Sequence, residues 1–162
     1  MVYLDFLGSL YNIQFMKNGT QPQKLLKHVR DARRRVVSRS ELIALGKGMS
    51  HPDRAMNSLV KAGHAEKLGR GVWLVPSGVR PKFDVPRFWS NPDLNDPLTI
   101  SALVVRNPTM RDMARLVLAY GAAPAEQALA ELEGDGEITP SAALRSRRMI
   151  DNAKLGLAHA AG

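Results

Sequence analysis

The sequence contains no cysteine, and this absence removes several classes of chemistry at once. Disulfide frameworks, thiolate nucleophiles and cysteine-based zinc sites are all excluded. A chain without cysteine suits a reducing compartment, so we expect a cytoplasmic protein. No apolar run reaches the roughly 20 residues that a membrane-spanning helix needs, and we expect no membrane partner.

Motifs for catalysis and for metal or cofactor binding are also missing. The four histidines form neither an H-x-x-x-H nor an H-E-x-x-H pair, which are the spacings that place two ligands on one helix face. The chain has no P-loop, no G-x-G-x-x-G fingerprint and no G-x-S-x-G elbow. We therefore expect no catalytic residues, no metal site and no cofactor, and a protein that is not an enzyme.

Acidic residues are scarce in the first part of the chain. Residues 1–87 hold 16 Lys and Arg against 6 Asp and Glu, whereas residues 88–162 hold 7 against 9. A basic half joined to a slightly acidic half indicates that the first half meets a polyanion. Strongly amphipathic helices with bulky aromatics, which bind membrane surfaces, do not accompany this charge.

The stretch 38–76 carries the clearest structural signals. Ser38 and Glu41 match the Ser-x-x-Glu capping box at the start of a first helix, which ends at Gly46. Ser50 before His51, Pro52 and Asp53 predicts the cap of a second helix, which ends at Gly63. Two β-prone runs, 64–68 and 72–75, then flank a Gly-Arg-Gly tip, which predicts a hairpin with a cation at its end.

The second of these helices has one apolar and one polar side. Arg54, Asn57 and Ser58 carry groups that read base edges, and His51 lies near them, close to the expected groove floor. Cations around them are candidates to hold phosphates. The full set of candidate DNA-binding residues is Arg39, Lys47, Ser50, His51, Arg54, Asn57, Ser58, Lys61 and Arg70. An ordinary solvated helix face is the other interpretation of the polar side.

The order of elements predicts a mainly α fold with a small β-wing. We expect an N-terminal arm at 1–19, a winged helix-turn-helix at 20–76, a Pro-rich linker at 77–97 and a small helical domain at 98–162. In the linker, Phe83, Phe88 and Trp89 alternate with basic residues. They are either aromatic anchors on a neighbouring domain or a strip that stacks on bases.

Two segments, VVSRSELIALG and SLVKAGHAEKLGRGVWLVP, resemble the N-terminal winged-helix domain of AbiEi-like antitoxins, the regulators of type IV toxin–antitoxin systems. The resemblance covers Lys24 to Pro76, with Trp73 where the family usually has tyrosine. More loosely, PTMRDMARLVLAYG and RRMIDNAKLGLA are similar to the helical segment of small regulators that accompany nucleotidyltransferase-like toxins. This resemblance implies a repressor of its own operon that also counteracts such a toxin.

Our main hypothesis is therefore a DNA-binding transcriptional regulator that meets double-stranded operator DNA as a dimer or as paired monomers. Its helical half would engage a toxin protein. The alternative is a winged-helix module that binds protein or RNA without operator binding.

Overall fold

The computed structural model describes residues 19–87 and 90–161, so the expected arm, apart from Gly19, and the pair Phe88 and Trp89 lie outside the described residues. The chain is mainly helical and has a small three-stranded antiparallel sheet. It divides into two compact units that join between Val75 and Pro76. Each unit is described by itself.

In its described part, residues 19–75, the first unit combines three helices with the sheet. Its elements in chain order are α1 (Gln21–Asp31), β1 (Val36–Ser38), α2 (Arg39–Leu45), α3 (Pro52–Lys61), β2 (Glu66–Gly69) and β3 (Val72–Leu74). Strand β3 is central, because Trp73 faces Val37 of β1 on one side and Lys67 of β2 on the other. The predicted hairpin is therefore present, and the short strand before α2 joins it.

One hydrophobic core holds these elements together. It contains Leu25 and Val29 from α1, Leu42 from α2, and Met56 and Leu59 from α3, together with Val37, Ala55, Ala65, Trp73 and Val75. Each helix contributes residues at helical spacing, so one side of each helix is buried. The opposite sides of α1 and α3 remain polar and exposed.

The predicted start of α2 is confirmed. Ser38 accepts a hydrogen bond from the Glu41 backbone N–H at 3.4 Å, and the Ser38 N–H donates to Glu41 Oε2 at 3.0 Å. This is the reciprocal capping box that satisfies two amide groups at a helix start. It fixes the direction in which the chain enters α2.

The predicted cap of α3 is wrong. The N-cap residue is His51, which makes no side-chain hydrogen bond to the helix. Ser50 lies one residue further out, and its Oγ accepts a hydrogen bond from Gln21 Nε2 at 3.1 Å. The hydroxyl is thus occupied by a partner far away in sequence. The predicted end is confirmed, because Gly63 follows the helix with φ of +74°.

The second unit is a small group of four helices. They are α4 (Pro97–Arg106), α5 (Met110–Tyr120), α6 (Ala123–Gly134) and α7 (Pro140–His159). Thr109 caps α5 by accepting from the Asp112 N–H at 3.2 Å. Helix α4 packs mainly on α6, and α5 packs on α7. No helix among the described residues is both long enough and apolar enough to cross a membrane.

The Pro-rich segment before α4 is hydrogen-bonded to α5. The Gly78 N–H donates to the Ala119 carbonyl at 2.8 Å. Further along, the fully buried carboxylate of Asp112 accepts from the Asp84 N–H at 2.8 Å, the Val85 N–H at 3.4 Å and Arg87 Nη2 at 2.9 Å. The segment expected as a linker therefore has fixed contacts within the second unit.

Two carboxylates of this cluster have lowered pKa values. Burial alone would raise the pKa of Asp112, but the hydrogen bonds from the Asp84 and Val85 amides and from Arg87 outweigh it and hold that pKa below its ordinary value. A hydrogen bond from Arg115 is the main cause of the lowered pKa of Asp84. Both groups therefore stay ionised well into the acidic range.

Candidate nucleic-acid interface

Helix α3 separates its apolar and polar residues cleanly. Ala55, Met56 and Leu59 are buried in the core of the first unit. At 3.6 residues per turn, the remaining polar side chains fall within an arc of about 140°. We call this set the α3 polar face: Asp53, Arg54, Asn57, Ser58 and Lys61. Its members are exposed, except that Asp53 is half-exposed.

The start of α3 lies beside the start of α1. The hydrogen bond between Ser50 and Gln21 joins the residues that precede and begin these two helices. Neither Thr20, the N-cap of α1, nor His51, the N-cap of α3, makes a side-chain capping hydrogen bond. Helix N-termini carry partial positive charge and favour anions. The first unit therefore places two such ends next to each other.

Arg39 connects α3 to the hairpin. Its Nε lies 3.7 Å from Asp53 Oδ1 in the first turn of α3. A Cβ placed on Gly71 would lie 3.5 Å from the Cβ of Arg39. The side chain of Arg39 is 68 % exposed, so its terminal nitrogens still reach solvent. One residue thus stands between the start of α3 and the hairpin tip.

The hairpin tip consists of Gly69, Arg70 and Gly71. Gly71 has φ of +71°, in the left-handed region that favours glycine. The register shifts between Lys67 and Gly69, which marks an irregularity of the kind that increases local twist. Arg70 is exposed at this tip. The tip therefore projects a cation on the same surface that holds Arg39.

Two predicted phosphate ligands, Lys47 and Lys61, are exposed at other points of the first unit. Lys47 is exposed in the turn between α2 and α3. Lys61 is the last residue of α3 and lies about 10 Å along the helix axis from Arg54. The structure therefore brings Arg39, Asp53 and the hairpin tip together, whereas it shows Lys47 and Lys61 only as exposed cations elsewhere in the first unit.

The local environment limits what two polar side chains of the first unit, Ser58 and His64, can offer to a ligand. Ser58 Oγ donates to the Arg54 carbonyl at 3.0 Å, so its hydroxyl proton is used within the helix and its oxygen remains an acceptor. Burial, aided by the positive charge of Arg30, lowers the pKa of His64. His64 is therefore neutral at neutral pH and adds nothing to the positive charge of the unit.

The net charge of the chain belongs to the first unit. Residues 1–75 hold 13 Lys and Arg against 5 Asp and Glu, and residues 76–162 hold 10 of each. In the second unit cations pair with carboxylates, as in Arg87 with Asp112, Arg106 with Glu137, Arg147 with Glu133 and Lys154 with Glu126. Five carboxylates cannot neutralise 13 cations, so the first unit retains a surplus that attracts polyanions.

Asp53 belongs to the α3 polar face but was not among the predicted DNA-binding residues. In the sequence it stood only as an acidic residue that suits the first turn of a helix. The available signal was its spacing: Asp53 and Asn57 are four residues apart and so lie on the same side of α3.

In the described residues no three His, Asp or Glu side chains group as metal ligands. No protein-family model, curated protein or solved structure matches the chain.

Proposed function

We propose that the first unit is a winged helix-turn-helix that binds double-stranded DNA and that the chain is a transcriptional regulator. In this proposal the α3 polar face enters the major groove, and the hairpin tip lies on the adjacent backbone. The order of helices and strands, with β3 between β1 and β2, supports it. So does the concentration of positive charge in residues 1–75.

The observation that carries the proposal is the position of Arg39. This side chain contacts Asp53 in the first turn of α3 and lies beside Gly71 at the hairpin tip. A reading helix and a wing must share one surface if both are to meet the same duplex. Arg54 on the helix and Arg70 on the tip are both exposed, so neither cation is covered by its own unit.

The contacts divide by chemistry into two groups. Arg54, Asn57 and Ser58 are proposed to meet base edges, with His51 near the groove floor, since their side chains carry the donors and acceptors that distinguish base pairs. Five other residues of the first unit are proposed to hold phosphates: Arg39, Lys47, Ser50, Lys61 and Arg70. The two uncapped helix starts add backbone N–H groups of the kind that bind phosphate.

The binding mode is tested by measuring the affinity of the full chain for a random-sequence duplex DNA pool over a range of salt concentrations. Arg70→Ala should weaken binding to all sequences and reduce the slope of log K against log salt by about 0.9. Arg145→Ala, which removes an exposed arginine from α7 in the second unit, is the matched control and should leave the slope unchanged.

Arg54→Ala tests the assignment of base contacts. On sequences selected by the wild-type chain, this variant should lose about 1–3 kcal/mol of discrimination at one base pair. Equal loss on selected and random sequences would contradict the base contact. If wild-type protein prefers an RNA hairpin to every duplex, or binds neither, the alternative of an RNA- or protein-binding module replaces the proposal.

We extend the proposal to a type IV antitoxin because of the resemblance to AbiEi-like regulators. The helical second unit would then bind a nucleotidyltransferase-like toxin, and the first unit would repress the operon. Co-expression with the product of the adjacent gene tests this extension. A stable complex that survives purification and relieves growth inhibition supports it. If the adjacent gene encodes no nucleotidyltransferase-like protein, the antitoxin extension fails and the proposal is reduced to a transcriptional regulator.

A further inference from the structure

The α3 polar face includes one carboxylate, that of Asp53. Its side chain is 44 % exposed and lies one helical turn before Asn57, on the side of α3 that is proposed to enter the groove. The other members of the face are cationic or neutral. Close to phosphates, a carboxylate weakens binding through repulsion between like charges. An acidic residue also suits the first turn of a helix, so stability alone does not reveal its role.

Arg39 forms an ion pair with this carboxylate and offsets part of its charge. The contact uses Arg39 Nε and Asp53 Oδ1, 3.7 Å apart. The backbone of Arg39 is held in turn, because it directly follows Ser38 in the capping box and its Cβ lies beside Gly71. Because this contact is made through Oδ1, the second carboxylate oxygen of Asp53 can accept another hydrogen bond.

We propose that Asp53 is a specificity-determining residue that accepts a hydrogen bond from the N4 amino group of cytosine in the major groove. The inference rests on the DNA-binding function proposed above. Residues near the start of a recognition helix are the ones that reach base edges. Asp53 is the second residue of α3 and meets this condition.

The choice of base follows from the donors and acceptors of the groove. Guanine and thymine present acceptor oxygens there, which repel a carboxylate. Adenine presents one amino donor, but its N7 acceptor lies beside that donor. Cytosine presents the N4 donor without N7, so an acceptor-only side chain favours cytosine. Asparagine has both a donor and an acceptor and favours adenine instead.

The test compares selections from a duplex pool with a randomised central region, using the full chain. Wild-type protein should select sequences with cytosine at one position of each site. Replacing that C·G pair should weaken wild-type binding about tenfold, an estimate at the lower end of the range for a good base contact. Asp53→Asn should lose the preference for cytosine and shift toward adenine. Asp31→Asn, which removes a carboxylate from the end of α1, is the matched control and should select the wild-type sequences.

The outcomes separate this inference from the function on which it rests. If Asp53→Asn selects the same sequences as wild-type protein and binds every duplex more tightly by one common factor, the carboxylate only adds repulsion. The inference is then overturned while DNA binding stands. If wild-type protein shows no salt-dependent affinity for any duplex in the pool, the proposed function fails, and the inference fails with it.

Discussion

Asp112→Ala is expected to destabilise the second unit by about 3–5 kcal/mol. The wild-type carboxylate is fully buried and binds three donors of the preceding segment: the amides of Asp84 and Val85 and the guanidinium of Arg87. Alanine removes the acceptor for all three. Because Arg87 is only 5 % exposed, its positive charge would remain buried without a counter-charge.

The magnitude follows from the individual contacts. Hydrogen bonds that involve a charged group each contribute about 1.5–3 kcal/mol. The bonds from Asp84 N–H and Arg87 Nη2 are short, at 2.8 and 2.9 Å, whereas the bond from Val85 at 3.4 Å is long and adds little. At the lower figure, these two strong bonds already account for about 3 kcal/mol of the expected loss. The unpaired guanidinium of Arg87 increases the loss of stability, and any movement of that side chain toward solvent reduces the increase.

Urea unfolding followed by circular dichroism measures the free energy, and hydrogen exchange at the Asp84 amide gives a local readout. Asp151→Ala is the matched control, because Asp151 is exposed on α7 and its loss should cost less than about 0.5 kcal/mol. The double variant Asp112→Ala, Arg87→Ala should cost less than the sum of the single variants, since no buried charge is left unpaired. A loss for Asp112→Ala no greater than that of the control would refute this reasoning.

Three further predictions concern local features. Gly71→Ala should destabilise the first unit by about 1–2 kcal/mol because of its positive φ, whereas Gly69→Ala, which meets no atom within 4 Å, should change stability by less than about 0.5 kcal/mol in the same urea assay. Ser38→Ala should cost about 1 kcal/mol through the lost capping box, and Thr20→Ala, whose hydroxyl caps nothing, should cost less than about 0.5 kcal/mol by thermal unfolding. The lowered pKa of Asp112 means that its stabilisation is complete above the unfolded pKa near 3.9 and is lost as the pH falls through the folded value. Urea midpoints measured down to about pH 2 should therefore fall less steeply in Asp112→Asn than in the wild-type chain.

Local signals explain why much of the fold could be predicted from the sequence. The pair Ser38 and Glu41 and the terminal Gly63 each act within a few residues, and both marked helix boundaries correctly. The hairpin around Gly71 was predictable for the same reason. Helical spacing likewise identified which side of α3 is buried, because that side depends on periodicity alone.

Contacts between distant residues explain what the sequence analysis missed. Ser50 had the right residue type for a cap, but Gln21, which is 29 residues away, occupies its hydroxyl. Asp112 matched the acidic first turn of a helix, and nothing in its neighbourhood indicated a partner 25 residues earlier in Arg87. In the same way, nothing near Arg39 or Asp53 in the sequence indicated the contact between them, which joins the start of α3 to the residue beside the hairpin tip.

The Pro-rich segment is hydrogen-bonded to α5 at Gly78, Lys82 and Asp84, and its path is longer than the part of the helix that it follows. Ala119 and Asp112 are two turns apart, about 10 Å along the axis, whereas the six steps along the chain from Gly78 to Asp84 can span about 20 Å when extended. Val79 lies in this part of the segment and is 69 % exposed. Because the sequence contains no cysteine, Val79→Cys would place a single reactive thiol at this exposed position, to which a fluorescent reporter could be attached.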